Sequence, residues 1–178
     1  MQNPDLDTLA RTASHGDLAA LNVLLATVRP EVLRMCSRLL RNREDAEEAC
    51  QDTLLAVARG IPAFQGRSAF RTWLYRIATN RARSAHTAGC RRAADRLDAV
   101  PEVADARRTS LIASTRLDLL DALAGLKPEF AEAVALRDAF GLSYREIAGL
   151  QQVPEGTVKS RIHEARHQLR ARLEPDAA

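Results

Sequence analysis

The chain has 178 residues, 46% of them apolar and 28% charged, a composition that supports a packed core and excludes the disordered class. Its 26 Lys and Arg against 23 Asp and Glu leave a net charge of only +3, so the total does not point to a polyanionic partner and the distribution of charge must decide. The amino terminus MQNPDLDTLA has no basic n-region or apolar h-region, and nowhere is there an apolar run of about 18 residues, which predicts an intracellular, soluble protein without membrane insertion.

In chain order, apolar residues recur at three- and four-residue spacing and strand-like alternation is missing, so the fold expected is all-α. Helices are predicted at about 5–14, 17–28, 30–41, 44–59 and 68–86. Pro30 suits a first helical turn and Asn42 a helix end, and the second and third helices can also form one kinked rod. Cys36, Cys50 and Cys90 form no CxxC pair and are odd in number, which fits reduced thiols; Cys36 and Cys50 fall among apolar helical positions and read as small buried hydrophobes, with redox sensing as the alternative.

Residues 44–52, EDAEEACQD, hold five acids and no base. On a helical wheel Ala46, Ala49, Cys50, Thr53, Leu54, Val57 and Ile61 cluster on one side, while Asp45, Glu48 and Asp52, with Gln51 beside them, line the other. Such a face meets either water or a basic partner. The following stretch, FQGRSAFRTWLYRIATNRARSAH, contains four of the seven aromatics, Phe64, Phe70, Trp73 and Tyr75. From Arg67 to Arg96 eight arginines face the single acid Asp95. Aromatics interleaved with arginines suit single-stranded nucleic acid, which offers stacking faces and phosphates together. Phe70, Trp73, Leu74, Ile77 and Ala78 share one face, so packing in a core is the better reading for Phe70 and Trp73. Thr72, Arg76, Thr79, Asn80 and Arg83 form the face expected to touch DNA.

Residues 87–112 lose clear periodicity, carry Gly89 and Pro101, and read as a flexible, partly helical linker. Helices then follow at about 114–124, 128–139, 143–150 and 155–173, giving two small helical domains, 1–86 and 113–174. In the second, Ser143 and Glu146 have capping-box spacing, and Leu142 with Ile147 completes a hydrophobic staple. A four-residue turn, Gln151 to Pro154, leads to a helix with the apolar stripe Val158, Ile162, Ala165, Leu169 and Leu173. Opposite it lie Ser160, His163, Glu164 and His167, flanked by Lys159 and Arg166. Five bases (Lys159, Arg161, Arg166, Arg170, Arg172) against Glu164 alone offset phosphate charge, and the whole pattern is a helix-turn-helix aimed at a major groove.

The run LKPEFAEAVALRDAFGLSYREIAGLQQVPEGTVKSRIHEAR resembles region four of extracytoplasmic-function sigma factors, and DAEEACQDTLLAVARGIPAF with SAFRTWLYRIATN resembles region two of the same sigma-70 family. The resemblance covers roughly 17–86 and 115–172. It implies a cytoplasmic, non-catalytic subunit, without cofactor or metal, that binds core RNA polymerase and both duplex and single-stranded promoter DNA. A regulatory anti-sigma factor and a role in a stress response are implied with it. By the same resemblance Asp45, Glu48, Gln51 and Asp52 dock on the polymerase. Phe64, Arg67, Thr72, Trp73, Arg76, Thr79, Asn80 and Arg83 hold the melted minus-ten element, one flipped base entering a pocket near Phe64 to Phe70. Thr157, Lys159, Ser160, Arg161, His163, Glu164, Arg166 and His167 read the minus-thirty-five element. Glu164 stands where family members often carry a base and Ala131 where many carry arginine, which bears on the minus-thirty-five preference.

Two other functions compete. One is a helix-turn-helix regulator acting without polymerase. The other is a zinc peptidase, since His163, Glu164 and His167 spell HExxH. A catalytic zinc needs three protein ligands, and the metzincin positions for a glycine and a third histidine are Arg170 and Leu173.

Overall fold

The computed structural model describes residues 5–40, 42–95, 119, 121–123 and 125–173, and they are helical with no strand among them. They cluster into two compact units: residues 5–37 with 42–83, and residues from 84 onward with 38–40. Most of the linker expected at 87–112 lies outside the described residues.

The first unit opens with α1 (Leu6–Ser14), capped by the Asp5 carboxylate, which accepts the Asp7 N–H at 3.2 Å. Asp17 caps α2 in turn, accepting the Ala20 N–H at 2.9 Å. α2 (Leu18–Leu39) is one continuous helix with Pro30 inside it, so the kinked-rod alternative holds over two separate helices. Asn42 marks a helix beginning, not an end. Its side chain accepts the Glu44 N–H at 2.9 Å and starts α3 (Arg43–Gly60), because a short side-chain amide satisfies an orphan donor as well as it tolerates a C-terminal turn.

A short 3₁₀ turn, Ile61–Ala63, leads through an irregular stretch to α4 (Phe70–Asp95), which runs past residue 86, where the helix was expected to stop. The first amide of α4 is capped from a distance: Asp7 Oδ1 accepts the Phe70 N–H at 2.6 Å. Leu24, Val28, Val32, Met35 and Cys36 of α2, Val57 of α3 and Phe70, Leu74 and Ala78 of α4 are all buried, each helix contributing one stripe. Glu31 ties α2 to α4 by accepting the Tyr75 hydroxyl and Arg71 Nη2, the latter at 3.3 Å. Burial, then the bond to Glu31 and its charge, hold the Tyr75 phenol well above its ordinary pKa, so it stays the donor.

The second unit contains α5 (Pro128–Val134), which continues into a π-helical turn (Ala135–Ala139), then α6 (Tyr144–Gln151) and α7 (Glu155–Leu173). Leu123, Leu126, Ala131, Val134 and Ala165 form its core, with Phe130 and Leu169 packed against them. The Ser143–Glu146 capping box is formed in both directions. Val158, Ile162 and Ala165 are buried as the stripe requires, but Leu173 is exposed, because it lies in the last turn of α7.

Candidate nucleic-acid interface

On α3 the apolar side is buried at Ala46, Ala49, Cys50, Thr53 and Val57, which forces the acids outward. Glu48, Gln51 and Asp52 are exposed; Asp45 is half-buried. Leu55 extends the same face and is 53% exposed. Sequence reasoning missed it, although adjacent Leu54 and Leu55 stand about 100° apart on a helix and cannot share one stripe. Cys36 and Cys50 are buried free thiols, and burial pushes the Cys36 thiol up to about 12, so it is an inert hydrophobe at neutral pH. The side chain of Cys90 lies outside the described residues.

α4 separates its two faces less simply than the wheel predicts. Arg76, Asn80 and Arg83 are exposed, and Thr72 is half-buried. Thr79 leaves this set: it is 1% exposed and its hydroxyl donates to the Tyr75 carbonyl at 2.6 Å. Tyr75, Thr79 and Ala82 form a second buried row beside Phe70, Leu74 and Ala78, so the buried side of α4 is wider than the wheel's apolar stripe. Phe64, Phe70 and Trp73 form one aromatic cluster with ring centroids 5.3–5.8 Å apart. Trp73 also lies against Gly60, where a Cβ would sit 3.2 Å from Trp73 Cζ2, so a side chain there would require the indole to shift by a few tenths of an ångström. Phe64 is thus a core residue with one edge reaching the surface. That edge lines a recess of about 370 Å³ with Gly66, Ser68 and Ala69 from the same stretch and Asp5, Asp7 and Arg11 from α1. Arg67, next to Gly66, is exposed.

α7 presents Lys159, Ser160, His163, Glu164, Arg166 and His167 to solvent, with Thr157 half-buried at its start. Arg161 is turned inward: its Nη1 donates to Gln151 Oε1 at 2.8 Å, and Gln151 Nε2 donates to Glu132 Oε1 at 3.1 Å and to the Glu129 carbonyl at 3.0 Å. Through Gln151 this half-buried guanidinium links α7 to α6 and α5. Arg166 makes a two-point pair with Asp138 at 3.0 and 2.6 Å, and that bond raises its pKa further. Glu164 Oε1 accepts from Gln168 at 2.6 Å. Two cations flank the Tyr144 ring, Arg137 at 4.7 Å and Lys159 at 5.6 Å from its centroid, fixing the start of α6 against α7. A capped helix, a turn through left-handed Gln152 and a second helix with an exposed polar and basic face make a complete helix-turn-helix.

The sequence matches the sigma-70 region 2 family over residues 24–96 and sigma-70 region 4 over residues 116–169. It is 31% identical to the ECF RNA polymerase sigma-E factor of Haemophilus influenzae, over 94% of each chain. The chain belongs to the extracytoplasmic-function group of sigma-70 factors. Consistent with this, the sigma factor is 30% identical to RNA polymerase sigma-H factor of Pseudomonas aeruginosa over 94% of its length and 93% of that protein's. Its fold matches the sigma factor RpoE of Bartonella quintana, solved in complex with the anti-sigma factor NepR, with a TM-score of 0.72 at 30% identity, covering 85% of this chain and 95% of that one. It also matches CnrH, solved with the cytosolic domain of CnrY, with a TM-score of 0.72 at 25% identity, covering 96% and 98%.

As a sigma factor the protein directs RNA polymerase to promoters, which sets aside the polymerase-independent regulator and the peptidase. The HExxH run is part of the exposed face of α7. Among the described residues no three His, Cys, Asp or Glu side chains are grouped to hold a metal, and no helix is long and apolar enough to cross a membrane.

Proposed function

We propose that three surfaces divide the work of this sigma factor. The exposed acids of α3, Glu48 and Asp52 with Gln51 and the edge of Asp45, dock on core polymerase, and Leu55 supplies an apolar centre for that contact. The α4 residues Arg76, Asn80 and Arg83, with Thr72 and Arg67, hold the melted minus-ten strand, while the edges of Phe64 and Trp73 offer aromatic surface to its bases. The α7 residues Lys159, Ser160, His163, Glu164 and His167, with Thr157 at the helix start, read minus-thirty-five duplex DNA. The sigma factor works in the cytoplasm with the polymerase and adds no catalytic group of its own. The complexes of RpoE with NepR and of CnrH with CnrY support control of this chain by an anti-sigma factor as well.

The observation that carries the reading is the outward projection of Arg76, Asn80 and Arg83 from a helix whose opposite side, Phe70, Leu74 and Ala78, is buried. Replacing all three with Ala should leave the fold and closed-complex binding intact but abolish promoter melting. Permanganate footprinting of the reconstituted holoenzyme measures this, and unchanged thymine reactivity around the start site in the triple variant would refute the assignment.

A further inference from the structure

We infer that His163 and His167 form a chelating site for a divalent late first-row transition cation, such as Zn²⁺, on the outer face of α7, and that its occupation competes with reading of the minus-thirty-five duplex. The competition rests on the assignment of α7 to that duplex, whereas the site rests on the helix alone. α7 runs unbroken from Glu155 to Leu173, so both histidines lie well inside regular helix. Side chains at this i, i+4 spacing stand one turn apart on one face, with Cβ atoms about 5–6 Å from each other. Two imidazoles so placed reach a common ion, each ring nitrogen about 2.0–2.1 Å from it. Both histidines are exposed, because the helix buries Val158, Ile162 and Ala165 on its other side.

The neighbours leave both rings available. Among the described residues neither imidazole has a hydrogen-bond or ion-pair partner. Glu164 gives Oε1 to Gln168 at 2.6 Å, and the Ser160 hydroxyl, one turn before His163, donates to the Thr157 carbonyl at 2.9 Å. Arg166 is held by Asp138 at 2.6 Å and Lys159 lies over the Tyr144 ring, which draws two cations away from the pair. Arg170, exposed in the next turn, opposes a dication, so affinity comes from the ring nitrogens and not from the local field. No third His, Cys, Asp or Glu among the described residues joins the pair to make a metal cluster. A peptidase centre needs three protein ligands; here two imidazoles hold the ion and water fills its other positions. Imidazole suits Zn²⁺, Ni²⁺ and Cu²⁺, whereas Mg²⁺ and Ca²⁺ take oxygen ligands and are not expected at the site. Occupation changes what α7 offers DNA. A ring nitrogen bound to metal neither donates to a base edge nor accepts from one. The hydrated ion also has no room, since a helix about 10–12 Å across already fills a major groove about 12 Å wide.

The experiment has two arms, both with the untagged full chain. In equilibrium dialysis against Zn²⁺ the parent should bind one ion more per chain than His163→Gln or His167→Gln, substitutions at exposed positions that spare the core. His15→Gln should match the parent, because that ring lies on the Arg11 carbonyl at the end of α1. Holoenzyme reconstituted from each chain and core polymerase is then bound to a promoter carrying the minus-thirty-five element. With free Zn²⁺ at about nine times the dissociation constant from dialysis, parent affinity should fall about tenfold by mass action, and that of either Gln variant by less than about twofold from its own zinc-free value. Zinc acting on the core enzyme weakens parent and variants alike, so the difference between them reads the site. Equal zinc uptake by the parent and the two variants would overturn the site. Uptake by the pair with promoter affinity unchanged or raised would overturn the competition. A parent holoenzyme indifferent to the minus-thirty-five sequence would overturn the assignment of α7, and with it the competition, while dialysis still decides the site.

Discussion

Arg166 shows why a cation on a recognition helix is not automatically a phosphate ligand. Its guanidinium is already held at two points by Asp138, with both side chains about half exposed. A pair so placed adds about 0–1 kcal/mol to stability, yet it keeps Arg166 from releasing a counterion fully when DNA arrives. Among the described residues the Lys159 ammonium meets the face of the Tyr144 ring and no carboxylate, which on the proposed assignment leaves its charge available to DNA. Lys159→Ala should therefore reduce the slope of log K against log salt for holoenzyme binding to promoter duplex by about 1, and Arg166→Ala by clearly less. Equal slopes for the two variants would show that the Asp138 pair dissolves on DNA. Charge counting in the sequence could not separate them, since Asp138 lies 28 residues away and meets Arg166 only through the fold. The same limit applies to Thr79. A wheel places it beside Arg76, but its hydroxyl satisfies itself on the Tyr75 carbonyl and so carries no need for solvent.

At the scale of elements, local rules were legible and tertiary ones were not. The capping box, the span of α7 and the buried stripe of α3 follow from spacing alone, because they involve neighbours three and four residues apart. Arg161 read as part of a basic stripe, whereas it ends the chain of polar contacts from Glu132 through Gln151 that joins three helices. Glu132 is 3% exposed and Gln151 9%. Gln151→Ala should remove one donor to the buried Glu132 carboxylate and the acceptor for Arg161, costing about 1–3 kcal/mol in urea unfolding. Because the same contacts set the angle of α7 against α6, binding that depends on the minus-thirty-five element should fall in parallel, while core binding through the first unit persists. An unchanged unfolding midpoint would mean that the apolar core of Leu126, Val134 and Ala165 fixes the helix-turn-helix unaided. Asp7 is the counterpart in the first unit. Nothing in its local sequence shows that it caps α4, 63 residues on, and so the recess it lines was beyond reach of any pattern in α1.

Over the whole molecule, a net charge of +3 conceals a partition by helix face: acids outward on α3, arginines outward on α4, mixed but mainly basic groups on α7. A subunit that must bind both a protein and a polyanion gains from this, since each surface repels the other's partner. One exposed leucine, Leu55, borders the acidic face between Asp52 and Arg59, so charge and apolar area can be tested apart. Glu48→Lys with Asp52→Lys alters exposed positions and should leave helical content unchanged while weakening core binding at least about tenfold at low salt. Raising the salt concentration should narrow that gap, because screened charges on a rim act mostly through approach. If Leu55 is buried on docking as proposed, Leu55→Ser removes apolar area from the contact, so its defect should persist at high salt and show mainly as faster dissociation. Titration of labelled core polymerase with each variant at two salt concentrations distinguishes the two effects. A charge reversal that leaves core affinity unaltered at low salt would remove α3 from the docking surface, and a Leu55 defect that salt abolishes would mean that the leucine supports the acids rather than touching the polymerase.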